Sequence, residues 1–157
     1  MKKAILPALL ILTLSAPMAS AYGRKLNSKF DRADINDDNQ LTELEFQATQ
    51  SKKLSVAYSR FRFNKTDTNV DGFISRDEFV ISRGGVSGGK PSKIDLFLLA
   101  DADENDVLDP VEYSNTLKPA TAWPKVLKTF AKRDKNNDAE ISPREFGIGQ
   151  GFPFPFG

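Results

Sequence analysis

The chain has 157 residues, 39 % of them hydrophobic, with 22 Lys and Arg against 21 Asp and Glu and a formal net charge of +1. That length holds one compact unit or two small ones, and the near-balanced charge points away from a nucleic-acid partner. With no Cys and no His, the sequence excludes disulfides, thiolate or imidazole metal sites and histidine general bases, and leaves oxygen donors that suit hard cations.

The N-terminus reads as a secretion signal spanning residues 1–21. Lys2 and Lys3 are followed by a mostly apolar run from Ala4 to Leu14, interrupted by Pro7, and Ala19-Ser20-Ala21 supplies small residues before a cut. The run is too short to span a bilayer comfortably, so the expectation is a secreted or periplasmic chain starting at Tyr22, with no membrane span after processing. Both methionines, Met1 and Met18, leave with the signal, and all 12 phenylalanines stay. Processing removes two lysines and no acid, which moves the formal charge from +1 to −1.

Beyond the signal, one twelve-residue pattern occurs four times: DINDDNQLTELE from Asp34, DTNVDGFISRDE from Asp67, DADENDVLDPVE from Asp101 and DKNNDAEISPRE from Asp134. The starts lie 33, 34 and 33 residues apart, a register that chance polar turns would not keep. Each copy has a Phe four residues before its first Asp (Phe30, Phe63, Phe97, Phe130). Each has an aromatic directly after its closing Glu (Phe46, Phe79, Tyr113, Phe146).

Every place in the pattern has a role in holding Ca²⁺, which takes six to eight oxygens at flexible distances. Places one, three and five offer side-chain oxygens: Asp34, Asn36 and Asp38; Asp67, Asn69 and Asp71; Asp101, Asp103 and Asn105; Asp134, Asn136 and Asp138. Place seven offers a backbone carbonyl, from Gln40, Phe73, Val107 and Glu140, so its side chain is free to vary. Place nine, which works through water, holds Thr42, Ser75, Asp109 and Ser142, and place twelve gives two carboxylate oxygens from Glu45, Glu78, Glu112 and Glu145. Place eight holds Leu41, Ile74, Leu108 and Ile141, which point away from the ion and are expected to pair between adjacent loops as short antiparallel bridges.

These repeats resemble the EF-hand superfamily over about residues 24–150, and their arrangement is similar to calmodulin-like four-loop proteins. The resemblance implies an all-α fold of two lobes, each a pair of helix–loop–helix units, with up to four Ca²⁺ ions as cofactors. Pair one is expected over residues 22–82, a Gly-rich flexible linker over 83–93, pair two over 94–150, and a Phe/Pro tail over 151–157.

The segments before the loops carry helical spacing. Leu26, Phe30 and Ala33 do so before the first, Ile94, Phe97 and Leu98 before the third, and Trp123, Val126, Leu127 and Phe130 before the fourth, where Pro124 suits a first turn. Arg60–Phe63 alternates like a strand, yet a helix is expected there because the second loop needs one. Ser82–Lys93 has four glycines and a proline in twelve residues and should not sustain a helix. Aromatic pairs around each loop, such as Phe130 with Phe146, are expected to pack.

Place six requires a positive φ. Gly72 adopts it freely and Asn39 and Asp106 tolerate it, but Ala139 meets a strain of about 1–2 kcal/mol. On that ground the second loop is expected to bind tightest and the fourth weakest, with the third, which carries a fourth acid in Asp109, a rival for tightest. Of the exiting positions (Thr49, Gln50, Ser82, Arg83, Thr116, Leu117, Gly149, Gln150) only Leu117 is clearly apolar, and the processed chain has no Met, so a wide adaptable groove is not expected. The expectation is a monomeric calcium buffer or modest sensor with calcium-dependent folding. An alternative is an interaction module that calcium shapes for an envelope protein or an anionic polymer. No nucleophile–base set stands out, so no catalytic residue is assigned.

Overall fold

The computed structural model describes residues 17–149. The Phe/Pro tail at 151–157 lies outside the described residues, as does the expected secretion signal except for Pro17–Ala21. Ten elements follow in chain order. They are α1 (Pro17–Asp31), β1 (Gln40–Leu41), α2 (Glu43–Thr49), α3 (Val56–Thr66), β2 (Ile74–Ser75), α4 (Arg76–Ile81), α5 (Lys93–Leu98), α6 (Pro110–Ser114), α7 (Trp123–Arg133) and α8 (Pro143–Phe146). The fold is all-α, four helix–loop–helix units joined in pairs by short antiparallel bridges. No described helix is long and apolar enough to cross a membrane.

In each unit the exiting helix begins where the loop ends. Thr42, Ser75, Asp109 and Ser142 act as N-caps, each accepting from the backbone N–H of the closing Glu three residues on, while that Glu reaches back to the cap's own N–H. This reciprocal arrangement satisfies two donors that a helix start otherwise leaves unpaired. The α3 segment, despite its alternating RFRF, is a helix capped by Ser55, with Phe63 buried. Tertiary packing of Phe63 overrides the strand-like local pattern.

The units join in twos. β1 pairs antiparallel with β2, with Leu41 opposite Ile74, and Leu108 and Ile141 form an isolated antiparallel bridge, exchanging both backbone hydrogen bonds at 2.9 Å. All four place-eight side chains are fully buried.

Beneath each bridge lies one aromatic core. In the first pair Leu26, Phe30, Leu41, Phe46, Phe63, Ile74 and Phe79 pack together. In the second, Phe97, Leu108, Tyr113, Val126, Phe130, Ile141, Phe146 and Ile148 do so. The rings meet crosswise between units: Phe30 with Phe79 at 5.6 Å, Phe46 with Phe63 at 5.8 Å, Phe97 with Phe146 at 5.5 Å and Tyr113 with Phe130 at 5.7 Å, all edge to face. Phe130 thus pairs with Tyr113 of the neighbouring unit rather than with Phe146 of its own. An entering and an exiting helix splayed around one loop hold their rings apart, and the partner unit fills the gap. Each unit therefore lacks half its core without its partner.

On α7, Val126 and Phe130 are buried, whereas Trp123 and Leu127 remain nearly half exposed. The buried stripe is the i, i+4 pair, and the other two flank it.

The segment between the pairs is laid back on the first pair. Gly84 N–H donates to Phe79 O, and Gln50 Nε2 donates to Gly84 O. Gly85 passes so close over Phe46 that a Cβ there would sit 2.2 Å from its ring. The pairs also touch each other. Ala57 of α3 packs into the second core and donates its N–H to Asn115 O, and Arg60 spans from Glu43 Oε1 at 2.8 Å to Leu99 O at 3.0 Å.

Candidate metal centres in four loops

Each loop is closed by its own polar groups in one shared scheme. The place-one carboxylate accepts from backbone N–H groups across the loop: Asp34 from Asp38 and Asn39, Asp67 from Asp71 and Gly72, Asp101 from Asn105 and Asp106. Asp134 departs from this by accepting from Asn137 at 2.7 Å and from Ala139. Places three and five are bonded to each other, Asn36 to Asp38, Asn69 to Asp71 and Asn136 to Asp138, with donor and acceptor reversed in the third loop, where Asn105 donates to Asp103. The place-five side chain then accepts the N–H of place seven, from Gln40, Phe73, Val107 and Glu140.

The closing glutamates tie loop start to loop end. Glu45, Glu78, Glu112 and Glu145 accept from the place-two N–H groups of Ile35, Thr68, Ala102 and Lys135, and from the place-nine N–H groups of Thr42, Ser75, Asp109 and Ser142. The hydroxyls of Thr42, Ser75 and Ser142 donate to the same carboxylates, so a cation that takes both oxygens displaces some of these donors.

Those bonds set the acidity of the glutamates. Burial pushes the Glu78 carboxyl up, but the Ser75 and Thr68 donors outweigh it and hold it at about 2. Glu145 is held at about 2 by the Ser142 hydroxyl and by the backbone N–H groups of Lys135 and Ser142. Glu45 is lowered chiefly by the Thr42 N–H, against the opposing effect of burial.

The third loop differs electrostatically. Asp101, Asp103 and Glu112 each present a carboxylate oxygen, and these lie within 4.8 Å of one another. Asp101 and Glu112 are buried. Burial raises the Asp101 carboxyl, the N–H groups of Asp106 and Asn105 oppose that, and the charges of Glu112 and Asp103 add to it. Like charges gathered out of water are unfavourable until a cation neutralises them. A hard, oxygen-seeking ion fits this donor set, and Ca²⁺ accepts its irregular spacing more readily than the smaller Mg²⁺ does.

Outside comparison adds little to these loops. No family model matches the chain, and no curated protein matches it. Among solved structures it is similar to a homolog of programmed cell death 6 protein from Leishmania major Friedlin, with 18 % identity over 84 % of this chain and 77 % of that one, at a TM-score of 0.36.

The backbone exposes a requirement beyond the liganding places. Place six is left-handed in all four loops, at Asn39 (φ 64°), Gly72 (83°), Asp106 (65°) and Ala139 (69°). Place four is left-handed as well, at Asp37 (56°), Val70 (58°), Glu104 (58°) and Asn137 (59°). Asp and Asn tolerate this region, and Val, branched at Cβ, is the costliest of the four. The Asp and Asn at two of these places were the available sequence signal. Sequence reasoning also passed over Arg76, which pairs with Asp31 at 2.6 Å, donates to Asn39 Oδ1 at 3.2 Å and stacks over Phe30, tying the second unit to the first loop.

Proposed function

We propose that the protein is an extracytoplasmic calcium-ion-binding protein that uses its four EF-hand loops, binds up to four ions, and serves as a calcium buffer or modest sensor whose folding depends on the ion. The observation that carries this is the Asp101–Asp103–Glu112 cluster, a set of mutually repelling oxygens placed where the loop pattern assigns ligands. In the other loops the donors are the places named from the sequence. Places one, three, five and twelve give side-chain oxygens, and place seven gives the carbonyls of Gln40, Phe73, Val107 and Glu140. Bound Ca²⁺ would supply positive charge that offsets this repulsion and joins entering to exiting helices.

The buffer or modest-sensor reading is supported by the short exiting helices, of seven, six, five and four residues. Helices of that length offer little surface for a wide groove. An interaction module remains the second reading, favoured by a cleft of about 530 Å³ where Leu44, Ala48 and Leu54 of the first pair face Pro119 and Ala120 of the second. An apolar fluorescent dye separates the two. A large calcium-dependent rise in melting temperature with little gain in dye binding supports the buffer reading, and a strong calcium-induced dye signal supports the module. Export is tested by the N-terminal sequence of the processed chain, expected to begin at Tyr22.

A further inference from the structure

Away from the loops, α1 and the chain just after α4 enclose a cleft of about 240 Å³. Tyr22, Lys25, Leu26, Lys29 and Arg32 line it from α1, and Arg83 and Val86 close it from the other side. The α1 residues recur at three- and four-residue intervals, so they lie along one side of the helix. The facing segment is held against that stripe: a Cβ on Gly84 would lie 3.4 Å from Leu26 and 3.6 Å from the Lys29 ammonium.

Four cations line the cleft, and among the described residues none of them is in an ion pair. Asp31, the one acid of α1, is taken by Arg76, and the other ion pair among the described residues joins Arg60 to Glu43. Residues 1–16 and 150–157 contain no Asp or Glu. Among the described residues Lys29 has the ring of Phe79, at 5.9 Å, and Arg32 Nε donates to Ser28 O. Burial first, then the charges of Arg62 and Arg32, hold the Lys29 ammonium below the usual lysine range. Arg62 adds a buried Nε–H with no acceptor. Of the four, Lys29 is half-buried while Lys25, Arg32 and Arg83 are exposed, and like charges gathered along one cleft favour an anion that joins them.

We propose that this cleft binds a phosphate group carried on an apolar body, the chemistry of an anionic phospholipid headgroup. Lys25, Lys29, Arg32 and Arg83 surround the phosphate, and Tyr22, Leu26 and Val86 receive the apolar portion. Two guanidinium forks suit the several oxygens of a phosphate. None of the calcium-loop donors takes part, so the site is independent of the calcium reading.

The test is co-sedimentation of the processed chain from Tyr22 to Gly157, in chelator, with phosphatidylglycerol-containing vesicles and with pure phosphatidylcholine vesicles. The chain should pellet with the anionic vesicles only. Lys29→Gln with Arg83→Gln should weaken that binding about tenfold or more, because each basic residue near an anionic surface contributes separately. Lys125→Gln with Lys128→Gln, the same charge change on α7, should weaken it less than about threefold. Arg83→Gln alone, at an exposed position, should give an intermediate loss and serves if the double variant is unstable. Competition by millimolar inorganic phosphate would assign the cleft to free phosphate esters, and its failure to compete would assign it to the lipid surface. Equal losses in the two double variants, or equal pelleting with phosphatidylcholine, would overturn the proposal.

Discussion

The second and fourth loops mirror each other in where they hold strain. The second has Gly72 at place six, where glycine is at ease, but Val70 at place four with φ 58°. The fourth has Asn137 at place four, which tolerates φ 59°, but Ala139 at place six with φ 69°. An L-residue with a Cβ in this region costs about 1–2 kcal/mol, and a β-branched one is the less suited. Each loop thus carries one ill-suited residue, and the gap expected from place six alone narrows. The lesson is that the loop is a backbone shape with two left-handed corners, and ranking sites by one corner leaves out half of the strain.

The largest way to sharpen the comparison is to remove one site from each pair. Glu78→Gln and Glu145→Gln should each lose their own ion, and with it about 2.7 kcal/mol of stabilisation at free calcium a hundredfold above Kd. The first pair shares a two-residue ladder, Gln40–Leu41 against Ile74–Ser75, whereas the second shares the single Leu108–Ile141 bridge. Glu78→Gln should therefore weaken the first loop more than Glu145→Gln weakens the third. Unchanged affinity in the neighbouring loop of both variants would show that the bridges carry no coupling.

Strain relief comes next in size. Val70→Asn and Ala139→Gly should each raise the denaturation midpoint of the calcium-loaded chain by the equivalent of about 1 kcal/mol. Asn137→Val, which gives the fourth loop both ill-suited corners, should lower it by a similar amount. If Val70→Asn has no effect while Ala139→Gly stabilises, place six alone sets the order and the mirror comparison fails.

The smallest effect is one of pH, in chelator. Glu78 and Glu145 have folded values of about 2 against an ordinary 4.5. A lowered folded pKa means that the stabilisation is fully present above about 4.5 and is lost as pH falls towards 2, because the unfolded chain binds the proton first. Urea midpoints measured across that window should fall less steeply in Glu78→Gln and Glu145→Gln than in the parent chain. Identical slopes would mean that the hydrogen bonds of Ser75 and Ser142 to these carboxylates do not form in solution.

Much of this was legible in the sequence because the chemistry recurs at fixed spacing. The fold class, the burial of Leu41, Ile74, Leu108 and Ile141, and the two bridges all follow from the register of the four repeats. The strain at Ala139 was legible too, since its place is set by counting. Val70 was not, because attention to ligand places passes over a residue whose side chain points to solvent. The crosswise ring pairs were hidden for another reason. Phe130 and Phe146 flank the same loop in sequence, and only the opposed arrangement of two units shows that each meets a ring of its neighbour. Glycine content marked Ser82–Lys93 as non-helical, yet it could not show that Gly84 and Gly85 lie against Leu26 and Phe46, which depends on tertiary packing.

The central claim is that four loops of one design hold calcium, and isothermal calorimetry of the full chain with calcium tests it most directly. The account expects saturable binding that approaches four ions per chain, and one ion fewer in Glu112→Gln, which removes a charge from the Asp101–Asp103–Glu112 cluster. Absence of saturable binding, or the same stoichiometry and affinities in Glu112→Gln as in the parent, would contradict it.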